Sequence, residues 1–87
     1  MEEKELLAEL GHRLKALRKS KGLKQTDMAE LLGLTDRSYQ RYEYGKINVP
    51  ATTLAFFADF FGVSADYLLG RTDGEPTIQN EKLQDTE

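Results

Sequence analysis

Five glycines mark where this chain can turn, and they leave little choice about what lies between. Gly22, Gly33, Gly45, Gly62 and Gly70 each follow a segment whose apolar or aromatic residues recur at spacings of three and four. That spacing is one face of an α-helix. A glycine just past such a stripe is a common helix stop, because it enters left-handed backbone with no Cβ penalty. No apolar–polar alternation of the kind a half-buried strand needs appears anywhere, and no internal repeat. The pattern predicts an all-α fold of five short helices around one core, joined by short connections.

The first helix is predicted over residues 3–21, with Leu7, Leu10, Leu14 and Leu17 on one face, Leu6 widening it, and Arg18, Lys19 and Lys21 at the negative end of its dipole. The second, over 25–32, sets Met28, Leu31 and Leu32 on one side with Ala29 beside them. Thr35 offers a hydroxyl cap to the third, over 36–44, with Asp36 in its first turn. Pro50 opens the fourth, over 51–61, its fixed φ suiting a helix start, and Ser64 caps a short fifth over 65–69. Residues 71–87 are polar, with Ile78 and Leu83 as their large apolar residues, and are expected to form an acidic flexible tail behind a domain of residues 1–70.

Composition excludes several classes of function. With 87 residues, a two-domain enzyme is not expected. There is no cysteine for a disulfide framework or a thiolate metal site, and the single His12 builds neither a metal centre nor a His-dependent relay. No Gly-rich phosphate loop of the GxxxxGK[ST] form occurs, so no enzyme, cofactor or metal is expected. No apolar run approaches the roughly 20 residues of a membrane span. The start Met-Glu-Glu-Lys-Glu has the wrong charge for a secretory signal, so a cytoplasmic protein is expected.

The formal net charge of −3 appears at first to count against a nucleic-acid partner, but the charge is segregated. Residues 13–46 hold nine basic and four acidic side chains, while residues 1–70 together hold ten of each. The whole deficit lies in residues 71–87, where two basic groups meet five acids. The basic middle offers a footprint for a polyanion, but charge alone favours the plainer reading of solvated helix faces.

The connection between the second and third helices is Gly33-Leu34-Thr35. A three-residue turn containing glycine, between two short helices, is the mark of a helix-turn-helix, with an ordinary αα-corner as its look-alike. Gly33 supplies positive φ for a steep crossing, and Ala29 is small enough for close approach.

The stretch from Leu23 through Thr35, continuing with Tyr42-Glu43-Tyr44-Gly45-Lys46 and Pro50, resembles the phage-repressor helix-turn-helix family of Cro and lambda type, also called Xre. Leu54, Phe57, Ala58, Phe61-Gly62-Val63-Ser64 and Tyr67-Leu68-Leu69-Gly70 extend the resemblance, which covers about residues 10–70. It implies a five-helix DNA-binding domain of a small transcriptional regulator, a repressor acting as a homodimer on a pseudo-palindromic operator in double-stranded DNA. Gln25 and Thr35 match phosphate-contacting positions at the two helix starts. Asp36, Arg37 and Arg41 match positions facing base edges, with Gln40 a further reader, and Ser38, Tyr44, Lys46 and Asn48 match positions near the backbone. The guanidinium forks of Arg37 and Arg41 suit guanine O6 and N7, though both also read as solvated charges. Asp36 either accepts from cytosine N4 or stabilises the helix N-terminus. Tyr44 either approaches the backbone or packs the helix end. Arg18 and Glu43 match a partly buried structural salt bridge between the first and third helices.

Two positions depart from that family's pattern. Lys24 stands where Thr or Ser usually caps the second helix, which removes a side-chain cap while offering a phosphate contact. Tyr39 stands where an aliphatic residue is usually buried, so its hydroxyl needs water, a partner or a phosphate. Phe56 and Phe60 are left over once Leu54, Phe57, Ala58 and Phe61 are assigned to the core, and an exposed aromatic pair suggests a dimer surface. Coverage by Leu6 and Leu7 or by the tail is the alternative. Two rival functions stand beside the regulator: an antitoxin that binds its operator and a toxin partner through residues 77–87, and a helical protein–protein adaptor.

Overall fold

The structure, a computed structural model, describes residues 2–72. Among them are five helices and no strand: α1 (Glu3–Ser20), α2 (Gln25–Leu32), α3 (Asp36–Glu43), α4 (Ala51–Phe61) and α5 (Ala65–Leu68). The fold is all-α, as the glycine pattern predicts, and all five of those glycines have positive φ, from 68° to 74°. The described residues group into two units, one up to residue 48 and one from residue 49. The segment 73–87, which includes Ile78, Leu83 and most of the predicted acidic tail, lies outside the described residues.

In the first unit α3 packs against both α1 and α2. Leu10 and Leu14 of α1, Met28 and Ala29 of α2, and Tyr39 and Tyr42 of α3 are buried. Burying a side chain the size of Leu14 or Met28 contributes about 1.5–3 kcal/mol. The two tyrosine rings meet edge to face, 6.2 Å apart at 85°. The second helix differs from its predicted stripe at Leu31, which is 53% exposed. Its apolar arc is wider than the face its neighbours cover, and periodicity cannot say which edge stays out.

Two glycines permit the close packing of α1 on the end of α3. Gly11, buried in the middle of α1, has no room for a Cβ: one built there sits 2.8 Å from the Glu43 carbonyl carbon and 2.9 Å from the Tyr42 carbonyl oxygen. Gly45, just past α3 with φ of 70°, approaches the α1 backbone in return, its Cβ position lying 3.1 Å from the Leu7 carbonyl oxygen.

In the second unit Pro50 is the N-cap of α4, one residue earlier than a first-turn proline. Gly62 ends α4, and Ser64 caps α5 by accepting from the Tyr67 amide at 2.9 Å. Leu69 falls just outside α5, at its C-cap. Phe57, Phe61, Val63 and Leu68 are buried. Leu54 and Ala58, predicted as core, are half-buried. Phe56 and Phe60 are not the exposed pair expected from the sequence: both are half-buried, and their rings stack 5.5 Å apart at 16°. Rings one turn apart on a helix can shield each other's faces, which spacing alone does not reveal.

Candidate nucleic-acid interface

The junction between α2 and α3 is built locally. Gly33, with φ of 70°, is the C-cap of α2, and the Leu34 amide reaches back to the Ala29 carbonyl at 2.9 Å. This is a left-handed helix stop of the Schellman kind. Two residues later Thr35 caps α3. Its Oγ1 accepts from the Ser38 amide at 3.1 Å and donates to the Ser38 hydroxyl at 3.0 Å. The third helix therefore begins where the turn ends, with Asp36 in its first turn.

The start of α2 shows how the chain manages without the usual Ser or Thr. Lys24 has no acceptor with which to cap, and its side chain makes no capping bond. Instead the Asp27 carboxylate reaches back to the Lys24 amide at 2.8 Å, supplying the reverse half of a capping box. An acid in the first turn also suits the positive end of the helix dipole.

The third helix has two distinct faces. One carries Asp36, Arg37 and Arg41, all exposed, with Gln40 and Ser38 half-buried beside them. Tyr44, at the C-cap, is 59% exposed, which counts against helix-end packing as its whole role. Lys24, Thr35, Lys46 and Asn48 are also exposed, and Gln25 is half-buried. Asn48 donates to Glu3 at 2.9 Å. In this unit the structure thus sets four cations (Lys24, Arg37, Arg41 and Lys46) at the surface of the segment that spans α2 and α3.

The opposite face is locked by a buried polar cluster. The Glu43 side chain is fully buried and receives four donors. Arg18 Nε donates to Oε2 at 2.6 Å and Arg18 Nη2 to Oε1 at 3.1 Å, a two-pronged grip. The Tyr39 hydroxyl donates to Oε2 at 2.5 Å, and Gln25 Nε2 donates to Oε1 at 3.1 Å. Arg18 Nη1 meanwhile donates to the Leu23 carbonyl at 2.8 Å. The carboxylate therefore ties together α1, the first residue of α2 and α3, and Arg18 adds the connection before α2. The pair is more deeply buried than the partly buried bridge expected from the sequence.

The cluster sets the ionisation of its members. Burial pushes the Glu43 carboxyl up, but the donors from Arg18, Tyr39 and Gln25 outweigh it and hold the group below its ordinary value. The hydrogen bond to Glu43 raises Arg18 further, against the opposing effect of burial. Burial first, and then donation to Glu43, push the Tyr39 phenol well above its ordinary range.

Sequence reasoning left the partner of the Tyr39 hydroxyl open and did not single out Gly11. A signal existed for each. Tyr39 and Glu43 stand four residues apart on one helix face, and Gly11 interrupts the α1 stripe at a position where no turn is wanted. Among the described residues no group of His, Cys, Asp or Glu is placed to hold a metal ion, and no helix is long and apolar enough to cross a membrane.

Residues 14–68 match the family model described as helix-turn-helix. The chain is 42% identical over 77 residues to the SPbeta prophage-derived uncharacterized HTH-type transcriptional regulator YonR of Bacillus subtilis, covering 88% of this chain and 70% of that protein. It spans only 56% to 66% of the length of four other HTH-type transcriptional regulators of Bacillus subtilis that it matches. Among solved structures it resembles the DNA-binding domain of BldD from S. venezulae, with a TM-score of 0.62, 33% identity, and coverage of 75% of this chain and 97% of that one. It also resembles the hypothetical transcription factor NHTF from Neisseria, with a TM-score of 0.66, 26% identity, and coverage of 95% and 90%. A glycine turn between two short helices, an exposed third-helix face and a family match over more than half of the chain agree: this chain belongs to the helix-turn-helix family.

Proposed function

We propose that α3 reads base edges in the major groove of double-stranded DNA, and that the chain is the DNA-binding part of a repressor that occludes a promoter. At the coarser level, family and relatives make it a DNA-binding transcriptional regulator rather than an enzyme. The observation that carries the finer reading is the division of α3. Tyr39, Tyr42 and Glu43 hold it in place, while Arg37 and Arg41 stand exposed on the other side.

In this reading Arg37 and Arg41 supply the forked donors that distinguish guanine, with Gln40 beside them and Asp36 facing cytosine N4 or serving the helix start. Lys24, Gln25, Thr35, Ser38, Tyr44 and Lys46 hold phosphates, which give affinity and register without sequence choice. One such domain contacts too few base pairs to single out an operator in a genome. The reading therefore includes a homodimer on a pseudo-palindrome with half-sites about 34 Å apart, and a cytoplasmic location beside the chromosome. The domain is taken as residues 1–70, with the acidic segment 71–87 as a separate appendage.

Selection of bound sequences from random duplex, followed by salt-titrated binding, tests this. A pair of inverted half-sites is the expected product. An absence of duplex binding at low salt would leave the protein–protein adaptor as the better account. Binding of the operator together with a co-purifying toxin would move the assignment to an antitoxin.

A further inference from the structure

We infer that Glu43 is a positioning residue for DNA binding, acting through the carboxamide of Gln25, and that the Tyr39 hydroxyl is what fixes it. The inference rests on the reading of Gln25 as a phosphate contact. A surface glutamine turns freely and presents either its oxygen or its NH2 end to a ligand. A carboxylate oxygen accepts only from the NH2 end. The bond from Gln25 Nε2 to Glu43 Oε1 at 3.1 Å therefore decides which end of Gln25 is held inward.

Glu43 can impose that choice because it cannot itself turn. Arg18 grips both of its oxygens, and the Tyr39 hydroxyl donates to Oε2, the oxygen that Gln25 does not use. Tyr39 is fully buried, and Glu43 has no exposed side-chain surface, so neither can touch DNA. Gln25 is half-buried at the first residue of α2 and keeps one amide hydrogen to donate to a phosphate, whereas its oxygen, an acceptor, cannot bond to one. A side chain already ordered in the free protein loses less freedom on binding, which is worth a several-fold gain in affinity.

The test is a double-mutant cycle on the full chain, with duplex affinity measured at fixed salt for the wild type, Gln25→Ala, Tyr39→Phe and the double variant, each checked for helicity. Tyr39→Phe keeps the buried ring and removes only the hydroxyl. Gln25→Ala is expected to weaken binding by about tenfold or more, the loss of one hydrogen bond to a charged group. Tyr39→Phe is expected to weaken it by a smaller factor, and the double variant to bind no worse than Gln25→Ala. A Tyr39→Phe variant that binds like the wild type, or that loses the same factor in both backgrounds, overturns the positioning role and leaves Gln25 as a phosphate contact. A neutral Gln25→Ala, with the wild type still binding, removes the reading of Gln25 and the inference with it. Nitrogen-detected NMR of the free wild type gives an arm independent of any variant. The Gln25 side-chain amide proton held by Glu43 should be displaced from its free-glutamine shift and exchange more slowly, and free-glutamine behaviour overturns the inference.

Discussion

Glu43 shows what a single buried residue can decide. Its carboxylate sits below its ordinary pKa because its donors outweigh its burial, so the folded state binds that proton less readily than the unfolded chain does. Its contribution to stability is therefore present above the ordinary carboxylate value of 4.5 and is lost as pH falls below it. Glu43→Gln leaves Arg18 buried without its counter-charge. It should lower stability at neutral pH by roughly 3 kcal/mol, with a flatter loss in acid than the wild type shows. Circular dichroism melts across pH 3 to 7 measure both effects, and an unchanged midpoint at neutral pH would count against the cluster's structural role. Gly11 makes a second residue-scale prediction with an unusual sign. Glycine to alanine inside a helix normally stabilises by about 1 kcal/mol. Here the added carbon would meet the backbone at Tyr42 and Glu43, which cannot rotate away, so Gly11→Ala should instead destabilise by about 1–3 kcal/mol. A higher denaturation midpoint for that variant would show that α1 and α3 separate at little cost.

At the scale of the element, the two faces of α3 should respond differently. Arg37→Ala and Arg41→Ala should each weaken operator binding by about 1–3 kcal/mol and relax sequence preference at one position, while melting like the wild type. Lys46→Ala should weaken all duplexes alike and reduce the salt slope by about one. Fluorescence anisotropy against operator and scrambled duplex separates the two patterns, and a uniform loss from Arg37→Ala would move that residue to the phosphates. Element boundaries were largely legible in the sequence because their causes are local. A glycine stop, the Thr35 and Ser64 caps and a proline entry each act within one turn. The outward residues Arg37 and Arg41 were legible for the same reason, since their face follows from helical spacing once Tyr39 and Tyr42 are inside. What was not legible depends on the neighbour. The exposure of Leu31 depends on how far α2 is covered, and the lack of space at Gly11 depends on where the backbone of α3 passes. Lys24 lay between these cases: the missing cap was visible, but its replacement by Asp27 needed the geometry.

At the scale of the whole molecule, the question is how one small domain gains enough specificity. Phe56 and Phe60 entered as a candidate dimer contact because they looked surplus to the core. Half-buried and stacked on each other, they present less apolar surface than a fully exposed pair. If they nevertheless form the dimer contact, Phe60→Asp should convert the dimer to a monomer in sedimentation velocity and weaken operator binding far more than half-site binding. An unchanged sedimentation profile would place the interface elsewhere. The net charge of −3, meanwhile, describes residues 71–87 and not the described helices, where basic and acidic groups balance through residue 70. The separation of α3 into a holding set and an outward set reaches beyond any one operator. Residues 39, 42 and 43 anchor the helix, while 36, 37, 40 and 41 take no part in that cluster. On the proposed reading, the lock and the key are cut from different residues of the same eight-residue helix. A change of target then requires no new core, and exchanging the four outward side chains for those of another regulator should retune recognition on an unaltered frame.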